Sequence, residues 1–559
     1  MPAQADRPIL PQGGHNPPVV RAPSRVEGHR GDYAWVAGLW VVLVAFQVWW
    51  IASDTRPPEG DPATHLRRAL GYAQAMESAS PGTLVYLWTR AEYGMYTYPP
   101  LVHVLTGGFI AVGLDPTRAA VVANALFLWM LLLGVMRIGR VAWGQAGGIA
   151  AAGLAGVMMG LATLMRHAYL DFPLAALIAW CCWQLVRTRG LECRRASVWL
   201  GVWAGLAMLA KPMAAIFLVG PGLWTLWRAG IPWRNWPRWR NGAIAVGTMV
   251  AVAGSWYAFH LPLMLAIAHY NQAVAPVIEG DPTPWTLAGA TYYLHLMTFM
   301  HAGLPLMATA AVALGVGVGR GIVCQRRVAD PVRRDARALV LWWLIAGYVL
   351  ISVAVVNKDE RYGVPLLPAL ALLIGSLASQ ERRWHRAVAI AGLALCALPY
   401  YARAMTSHPG GGFDLSLGEG MPVWGAQFDG GPRREDWRIV QIVRDMQARS
   451  PRAGPQRPIR LAAVPFLDRF CIPDLLLAAD LMRVFLNSRA VGNDAPDLDA
   501  IRRLYDFVLV KTGDQGIHHA TTQARLWNHL VQARPDVFWT VAVHALPDGS
   551  EARLYSVRQ

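Results

Sequence analysis

Apolar positions run in blocks through the first 404 residues, and polar, arginine-bearing segments separate the blocks. A helix of about 20 apolar residues rises about 30 Å, the hydrocarbon thickness of a bilayer. The first block is 34–53, and further blocks at 117–136, 144–165, 169–186, 197–211, 212–228, 241–262, 303–319, 338–356, 362–379 and 387–404 predict membrane-crossing helices. Residues 98–114 are apolar but short, and contain Pro99, Pro100, Gly107, Gly108 and Gly113. If that stretch crossed, the loop arginines would change sides. Laid along the outer interface, it leaves 19 arginines in the five loops 137–143, 187–196, 228–240, 320–337 and 380–386, against seven Lys and Arg in the opposite loops. Cytoplasmic loops carry the excess of basic residues, so the interfacial placement wins. The pattern predicts a polytopic α-helical membrane protein of about eleven spans, N-terminus inside and C-terminus outside.

Residues 1–33, rich in Pro, Gly and Arg, read as a disordered cytoplasmic tail. The transmembrane region covers 34–404, with an outer loop at 54–116 bearing interfacial helices. Beyond it the pattern changes. A linker, 405–434, holds Gly410-Gly411-Gly412 and Gly430-Gly431-Pro432. The remainder, 435–559, alternates as a small extracytoplasmic α/β domain: helices at 435–449, 473–486, 497–504 and 521–533, strands at 459–465 and 506–511, and a hairpin 537–544/551–557 turning at Pro547-Asp548-Gly549. His518-His519 suggests a metal only weakly, since a solvated loop explains the pair better.

Composition narrows this. The 559 residues are 55% hydrophobic and 15% charged with 25 Trp, the composition of a polytopic membrane protein. The net charge of +16 sits mainly in the short loops, which argues against a nucleic-acid partner. Only Lys211, Lys358 and Lys511 are lysine among 51 basic residues, so those three carry some information. Six scattered cysteines indicate no disulfide framework.

The topology gathers ionisable groups at the outer face. Asp61 and His65 follow the first span. Arg166, His167 and Asp171 follow another, Lys211 separates two short apolar halves, His260, His269 and Glu279 to Asp281 border a third segment, and Lys358-Asp359-Glu360-Arg361-Tyr362 joins two late spans. Each has a plain structural alternative. Asp61-Pro62 can start a helix, Asp171 can cap one, Arg166 can snorkel to head groups, and Lys358 to Arg361 can be a solvated turn. The convergence of these segments on one face nevertheless points to chemistry, because ionisable groups at membrane depth are costly. Cations there suit an anionic leaving group, and a carboxylate can take a proton from an acceptor hydroxyl, giving in-line displacement with inversion at a sugar carbon. Asp61, His65 and Asp171 are instead the set that could hold a divalent cation against a phosphate.

The ordered motifs resemble the GT-C membrane glycosyltransferases, in the branch of protein O-mannosyltransferases and aminoarabinose transferases. They are Asp61, Tyr98-Pro-Pro-Leu101, Arg118, Arg166-His-Ala-Tyr-Leu-Asp171, Ala210-Lys-Pro212 and Arg361-Tyr-Gly-Val-Pro-Leu-Leu-Pro368, spread over residues 34–404. The resemblance implies a sugar moved from a polyprenyl-phosphate donor to a lipid, glycan or protein acceptor at the outer face of a bacterial inner membrane. It implies Asp61 and Asp171 as catalytic carboxylates, with His65, Tyr98, Arg166, Lys211, Lys358, Arg361 and Tyr362 contacting substrate. Two departures stand out. Pro62 occupies the place of the family's second acid, which weakens a metal site unless His65 substitutes, and Tyr98 replaces its basic residue before Pro-Pro. A flippase of lipid-linked sugars is the alternative; it wants charges at the bilayer midplane and an inverted repeat, and Arg90 to Pro100 has no counterpart in the second half. A membrane anchor for the outer domain would need far fewer spans.

Overall fold

The computed structural model describes residues 30–58, 60–78, 80–89, 98–324, 330–406, 431–467, 469–490, 497–516 and 518–558. The 1–33 tail and 405–434 linker fall largely outside these, as do the side chains of His518 and His519. The first half carries α1 (Arg30–Ser53), α2 (Gly60–Glu77), α3 (Pro81–Thr89), α4 (Leu101–Ala111), α5 (Pro116–Trp143), α6 (Gln145–Val157), α7 (Met159–Leu164), α8 (Asp171–Thr188), α9 (Arg194–Ala210), α10 (Ala214–Ala229) and α11 (Trp236–Ala273). Then follow α12 (Ala275–Glu279), α13 (Leu287–Leu296), α14 (Leu304–Cys324), α15 (Pro331–Ala354), α16 (Leu367–Gly375) and α17 (Arg383–Thr406).

Every apolar block is therefore helical. Among the described residues, five helical runs are long and apolar enough to cross a membrane: Gly31–Ser53, Pro116–Trp143, Trp236–Glu279, Pro331–Ala354 and Glu360–Ala378. The block 144–165 is two helices rather than one, with Met158 extended between them at φ −61° and ψ 127°. Gly156 and Gly160 flank the break and let neighbours in: a Cβ would lie 2.6 Å from Leu43 at the first and 2.9 Å from Leu367 at the second. At eleven residues α4 rises only about 16 Å, too short to cross. Its face Val102, His103, Thr106, Gly107 and Ile110 is buried, and a Cβ on Gly107 would sit 2.7 Å from the Ala69 carbonyl of α2.

The arginine-rich segments meet one another. Arg140 and Gln145 bind Asp32 at the start of α1. Arg337 Nε donates to the Ala142 carbonyl at 2.8 Å. Arg228 pairs with Asp335 at 3.0 Å, and Arg238 with Glu192. The carboxylate-bearing loops gather at the opposite end, where the candidate site lies.

The C-terminal part adds α18 (Ile439–Arg449), α19 (Ile472–Leu481), α20 (Leu498–Leu504) and α21 (His518–Ala533) around β1 (Ile459–Ala463), β2 (Leu486–Ala490), β3 (Phe507–Lys511), β4 (Phe538–Ala545) and β5 (Glu551–Val557). The strand order is β2-β1-β3-β5-β4; β1 runs parallel to β2 and β3, while β5 is antiparallel to β3 and β4. Alternate residues of β1 and β3 fill two cores, Leu461, Ala463, Phe507 and Leu509 on one face and Ala462, Val508 and Val510 on the other. β2 overturns the helix expected to reach 486. Its residues Leu486-Asn-Ser-Arg-Ala490 include no β-branched or aromatic side chain, so the edge strand leaves little trace in the pattern.

This sheet unit is docked on α2. Leu477 of α19 is buried among Ala63, Leu66 and Ala120, and Arg67 Nε reaches Asp480 at 2.6 Å. Thr55 N donates to the Arg433 carbonyl at 2.9 Å. Leu477→Asp, which leaves a charge without counter-ion in that contact, is expected to undock the unit, read as faster proteolytic release of the C-terminal segment with the sheet itself intact.

Candidate active site

The start of α2 sets the first groups. The helix opens at Gly60, so Asp61 stands in its first turn rather than as N-cap, where the helix dipole favours a carboxylate. His65 and Arg68 follow on the same face at helical spacing. Asp61 Oδ2 accepts from Arg361 Nη2 at 2.7 Å. Half of the Asp61 side chain stays accessible although protein surrounds it, the situation of a group lining a cavity.

Arg361 is bracketed by acids. Its Nε donates to Asp359 Oδ1 at 2.8 Å, and Nη2 binds the other Asp359 oxygen as well as Asp61. Asp359 also caps the short 3-10 turn Glu360–Leu366 by accepting from the Arg361 backbone N–H. The guanidinium stacks over Tyr169 at 4.3 Å, fixing its plane. Burial opposes ionisation of Asp61, but Arg361 outweighs it and holds the carboxyl below its usual range.

Beside this lies a second pair. Lys211 ends α9 in extended conformation, and Pro212 prevents the helix from continuing into α10. Its ammonium donates to Asp171 Oδ1, at the start of α8, at 2.7 Å, and stands 4.5 Å over the Tyr362 ring. Both members are buried.

Two histidines form a chain. His65 Nδ1 and His103 Nε2 are 3.1 Å apart, and His103 Nδ1 is 3.1 Å from the Pro99 carbonyl. A carbonyl only accepts, so His103 carries its proton on Nδ1, accepts at Nε2 from His65 Nδ1–H, and leaves His65 Nε2 as a bare lone pair. Burial keeps both rings neutral, drawing His65 down to about 3 against the pull of Asp61 and His103 well below its usual value. The Tyr98 ring meets His65 edge-on at 4.9 Å.

Asp61, His65, Tyr98, Asp171, Lys211, Arg361 and Tyr362 thus come together, whereas Lys358 and Arg166 do not join them and the expected metal ligands stay apart. Lys358 is turned away: its ammonium donates to the Ser352 carbonyl at 2.7 Å and the Ile351 carbonyl at 3.4 Å. These are among the last carbonyls of α15, which lack partners inside the helix and attract a cation. Arg166 lies over Trp50 at 4.4 Å and donates to Thr163 Oγ1 at 3.0 Å, lining another cavity. The metal set Asp61, His65 and Asp171 does not assemble. Arg361 holds Asp61, Lys211 holds Asp171 and His103 holds His65; among the described residues no three His, Cys, Asp or Glu groups converge on a metal position.

The constellation also includes His103, which its place in an apolar helix hides, and Tyr169 and Asp359, which the sequence places at this face without a role of their own. His260 stacks on Trp256 at 4.1 Å and bonds the Trp256 carbonyl, a core histidine. Arg118 stays at the exposed start of α5, paired with Asp115 at 3.0 Å.

The helices pack as a bundle that carries the paired acids and bases at one end. Residues 97–256 match the family model of dolichyl-phosphate-mannose-protein mannosyltransferases. The chain shares its fold with ArnT from Cupriavidus metallidurans bound to undecaprenyl phosphate, at 16% identity and TM-score 0.58 over 94% of this chain and 98% of that one. It also resembles the Archaeoglobus fulgidus oligosaccharyltransferase in its apo form, at 12% identity and TM-score 0.53 over 85% of this chain and 69% of that one. The archaeal oligosaccharyltransferase AglB in complex with an inhibitory peptide and a dolichol-phosphate matches at 11% identity and TM-score 0.51, over 95% and 75% of the two chains. No curated protein sequence matches the chain.

Proposed function

We propose that this chain is a membrane glycosyltransferase of about eleven spans, moving a sugar from a polyprenyl-phosphate donor to a lipid, glycan or protein acceptor. The observation that carries the reading is Arg361, shared by Asp61 and Asp359 beside the buried Lys211–Asp171 pair. In this reading residues 1–33 face the cytoplasm of a bacterial inner membrane, and 435–559 form a periplasmic α/β domain after the 405–434 linker. Arginine-rich segments meeting at one end, with the acid–base cluster at the other, support that orientation. A flippase is less favoured, since the paired charges sit at one end and not midway.

The chemistry follows from the pairing. Bound at Arg361 and Lys211, the donor phosphate competes with Asp61 for the guanidinium, and Asp61 regains basicity as it is released. Its carboxylate takes the proton of the acceptor hydroxyl, the acceptor oxygen bonds to the sugar C1, and the C1–O bond breaks with inversion. The two electrons of that bond leave with the phosphate oxygen, where Arg361 and Lys211 meet the charge. Asp171 holds the Lys211 ammonium in place, Tyr362 supports it, and the bare Nε2 of His65 accepts from a substrate hydroxyl, with Tyr98 walling the ring. The Archaeoglobus fulgidus oligosaccharyltransferase is also known in complex with Zn and sulfate; among the described residues here, no three His, Cys, Asp or Glu groups are placed to hold a metal.

The test is transfer from a panel of radiolabelled polyprenyl-phosphate sugars in proteoliposomes. Labelled acceptor is the expected product. Labelled lipid that changes leaflet with no donor consumed would replace this reading by transport.

The histidine chain sets a pH dependence. His65 titrates near 3 and Asp61 below its usual range, so neither changes charge between pH 5 and 7, and the transfer rate is expected to be flat there. Stability behaves otherwise. Unfolded His65 takes up a proton near 6.5 that the folded ring refuses, so stability falls as pH drops from 7 to 5. Thermal inactivation should follow that slope, and His65→Gln should make it shallower while His103, also held neutral by burial, keeps part of it.

A further inference from the structure

The sheet unit grips α2 on the turns around Asp61. Arg469 Nη1 donates to the Pro57 carbonyl at 3.0 Å, just ahead of the helix. A Cβ on Gly60 would lie 3.2 Å from Cys471 Sγ, so the thiol rests almost on the helix backbone beside Asp61. Leu477 packs on Ala63 and Leu66, and Arg67 Nε meets Asp480 at 2.6 Å. Gly60, Ala63 and Arg67 follow one another at helical spacing and form one stripe of α2. Asp61, His65 and Arg68 form another, about a third of a turn away. The sheet unit thus holds one face of the helix while the neighbouring face presents the carboxylate.

The two halves of α2 have different supports. The second half rests on α4, where a Cβ on Gly107 would sit 2.7 Å from the Ala69 carbonyl and 2.9 Å from Tyr72 Cβ. The first turn rests on the start of α19. Cys471 is buried there, and its backbone N–H and its thiol both donate to Asp474 Oδ2, at 3.1 and 3.2 Å. That capping box leaves the sulfur little freedom to give way. Arg469 tethers the segment before α2 to the sheet unit, and Cys471 stops the helix from coming closer. A tether and a stop three residues apart fix a position that neither fixes alone. The Asp61–Arg361 bond, at 2.7 Å, depends on that position.

We propose that Gly60, Arg469 and Cys471 are positioning residues for the transfer reaction. Through them the sheet unit sets the place of the first turn of α2, and so the reach of Asp61 toward Arg361 and the acceptor hydroxyl. This rests on Asp61 being the base of the proposed reaction. It gives the C-terminal unit a part in catalysis that acts through α2.

The experiment uses the full-length protein in proteoliposomes, reading single-turnover transfer beside the donor dissociation constant. Gly60→Ala adds a methyl against Cys471 Sγ, and one of the two must yield by a few tenths of an ångström. Transfer is expected to slow about tenfold, since a displacement of about 1 Å can cost about 10²-fold, while donor affinity stays within about twofold because Arg361 and Lys211 are untouched. Cys471→Ala alone removes the stop and should slow transfer about threefold. Combined, the added methyl fills the space the sulfur leaves, and the rate should return to within about threefold of wild type, where independent damage would multiply to about thirtyfold. A double variant as slow as that product overturns the proposal, as does a Gly60→Ala loss that lies in donor affinity and not in rate.

Gel filtration and the midpoint of thermal unfolding check that each variant folds. If Gly60→Ala does not, Arg469 carries the test. Arg469→Met should slow transfer with donor affinity unchanged, and Arg469→Lys, which keeps a donor for the Pro57 carbonyl, should restore it. An unchanged rate in Arg469→Met overturns the proposal. Asp61→Asn in the same vesicles separates the two readings. If it stops transfer while the Gly60, Cys471 and Arg469 variants do not alter the rate, Asp61 remains the base and the positioning role falls alone. If Asp61→Asn transfers normally, both fall.

Discussion

Asp61→Asn is expected to lower sugar transfer by about 10²- to 10⁴-fold, the range for removing a general base, with donor binding changed little. Asparagine keeps the shape of the side chain and can still accept from Arg361 through its carbonyl, so the geometry of α2 survives. Arg361 keeps Asp359, whose carboxylate it already contacts through Nε at 2.8 Å, so no cation is orphaned. What disappears is the ability to take a proton. Single-turnover transfer from a labelled donor separates the two effects: the chemical step slows while the donor dissociation constant stays within a few-fold. A drop in donor affinity with an unchanged chemical step would make Asp61 a positioning residue for Arg361. Unaffected transfer would move the base elsewhere, first to Asp171, which would then have to surrender the Lys211 ammonium.

Much of this arrangement was legible in the sequence because membrane insertion constrains it so tightly. Each apolar block became helical because a backbone in lipid must satisfy its own hydrogen bonds. The short 101–111 helix was readable because Pro99 and Pro100 start it late and the loop arginines forbid it to cross. Sidedness then brought Asp61, Asp171, Lys211 and Arg361 to one end, although they lie up to 300 positions apart. What the sequence concealed is direction within that end. Lys358 and Arg361 are three residues apart, yet one turns back to the carbonyls of α15 and the other forward to Asp61. Arg166 and Asp171 are five apart, and only Asp171 faces the cluster. Sidedness depends on sums of charge; direction depends on where a helix happens to end. His103 was hidden for a related reason, being one polar group in an otherwise apolar helix whose partner, His65, sits 38 positions away.

The Lys211–Asp171 pair should respond to substitution in a way no exposed ion pair does. Both side chains are nearly inaccessible, at 8% and 2%, so each charge has lost its hydration and depends on the other. Asp171→Asn leaves the ammonium with a neutral partner, and Lys211→Met leaves the carboxylate with none. Each single change is expected to cost about 3–5 kcal/mol of stability, the usual penalty for an uncompensated buried charge. The double variant Asp171→Leu with Lys211→Met removes both charges and both desolvation costs, so it should recover most of that loss. Transfer should not recover with it. If Lys211 meets the charge on the departing phosphate, the double variant folds and binds little donor, whereas a purely structural pair would give a double variant that is stable and active. Thermal inactivation in micelles reads the first property and donor titration the second. A double variant as unstable as either single one would mean that the cavity needs the pair's hydrogen bonds for its shape. A stable double variant that still transfers sugar would remove Lys211 from the mechanism and leave Arg361 as the cation on which the reaction depends.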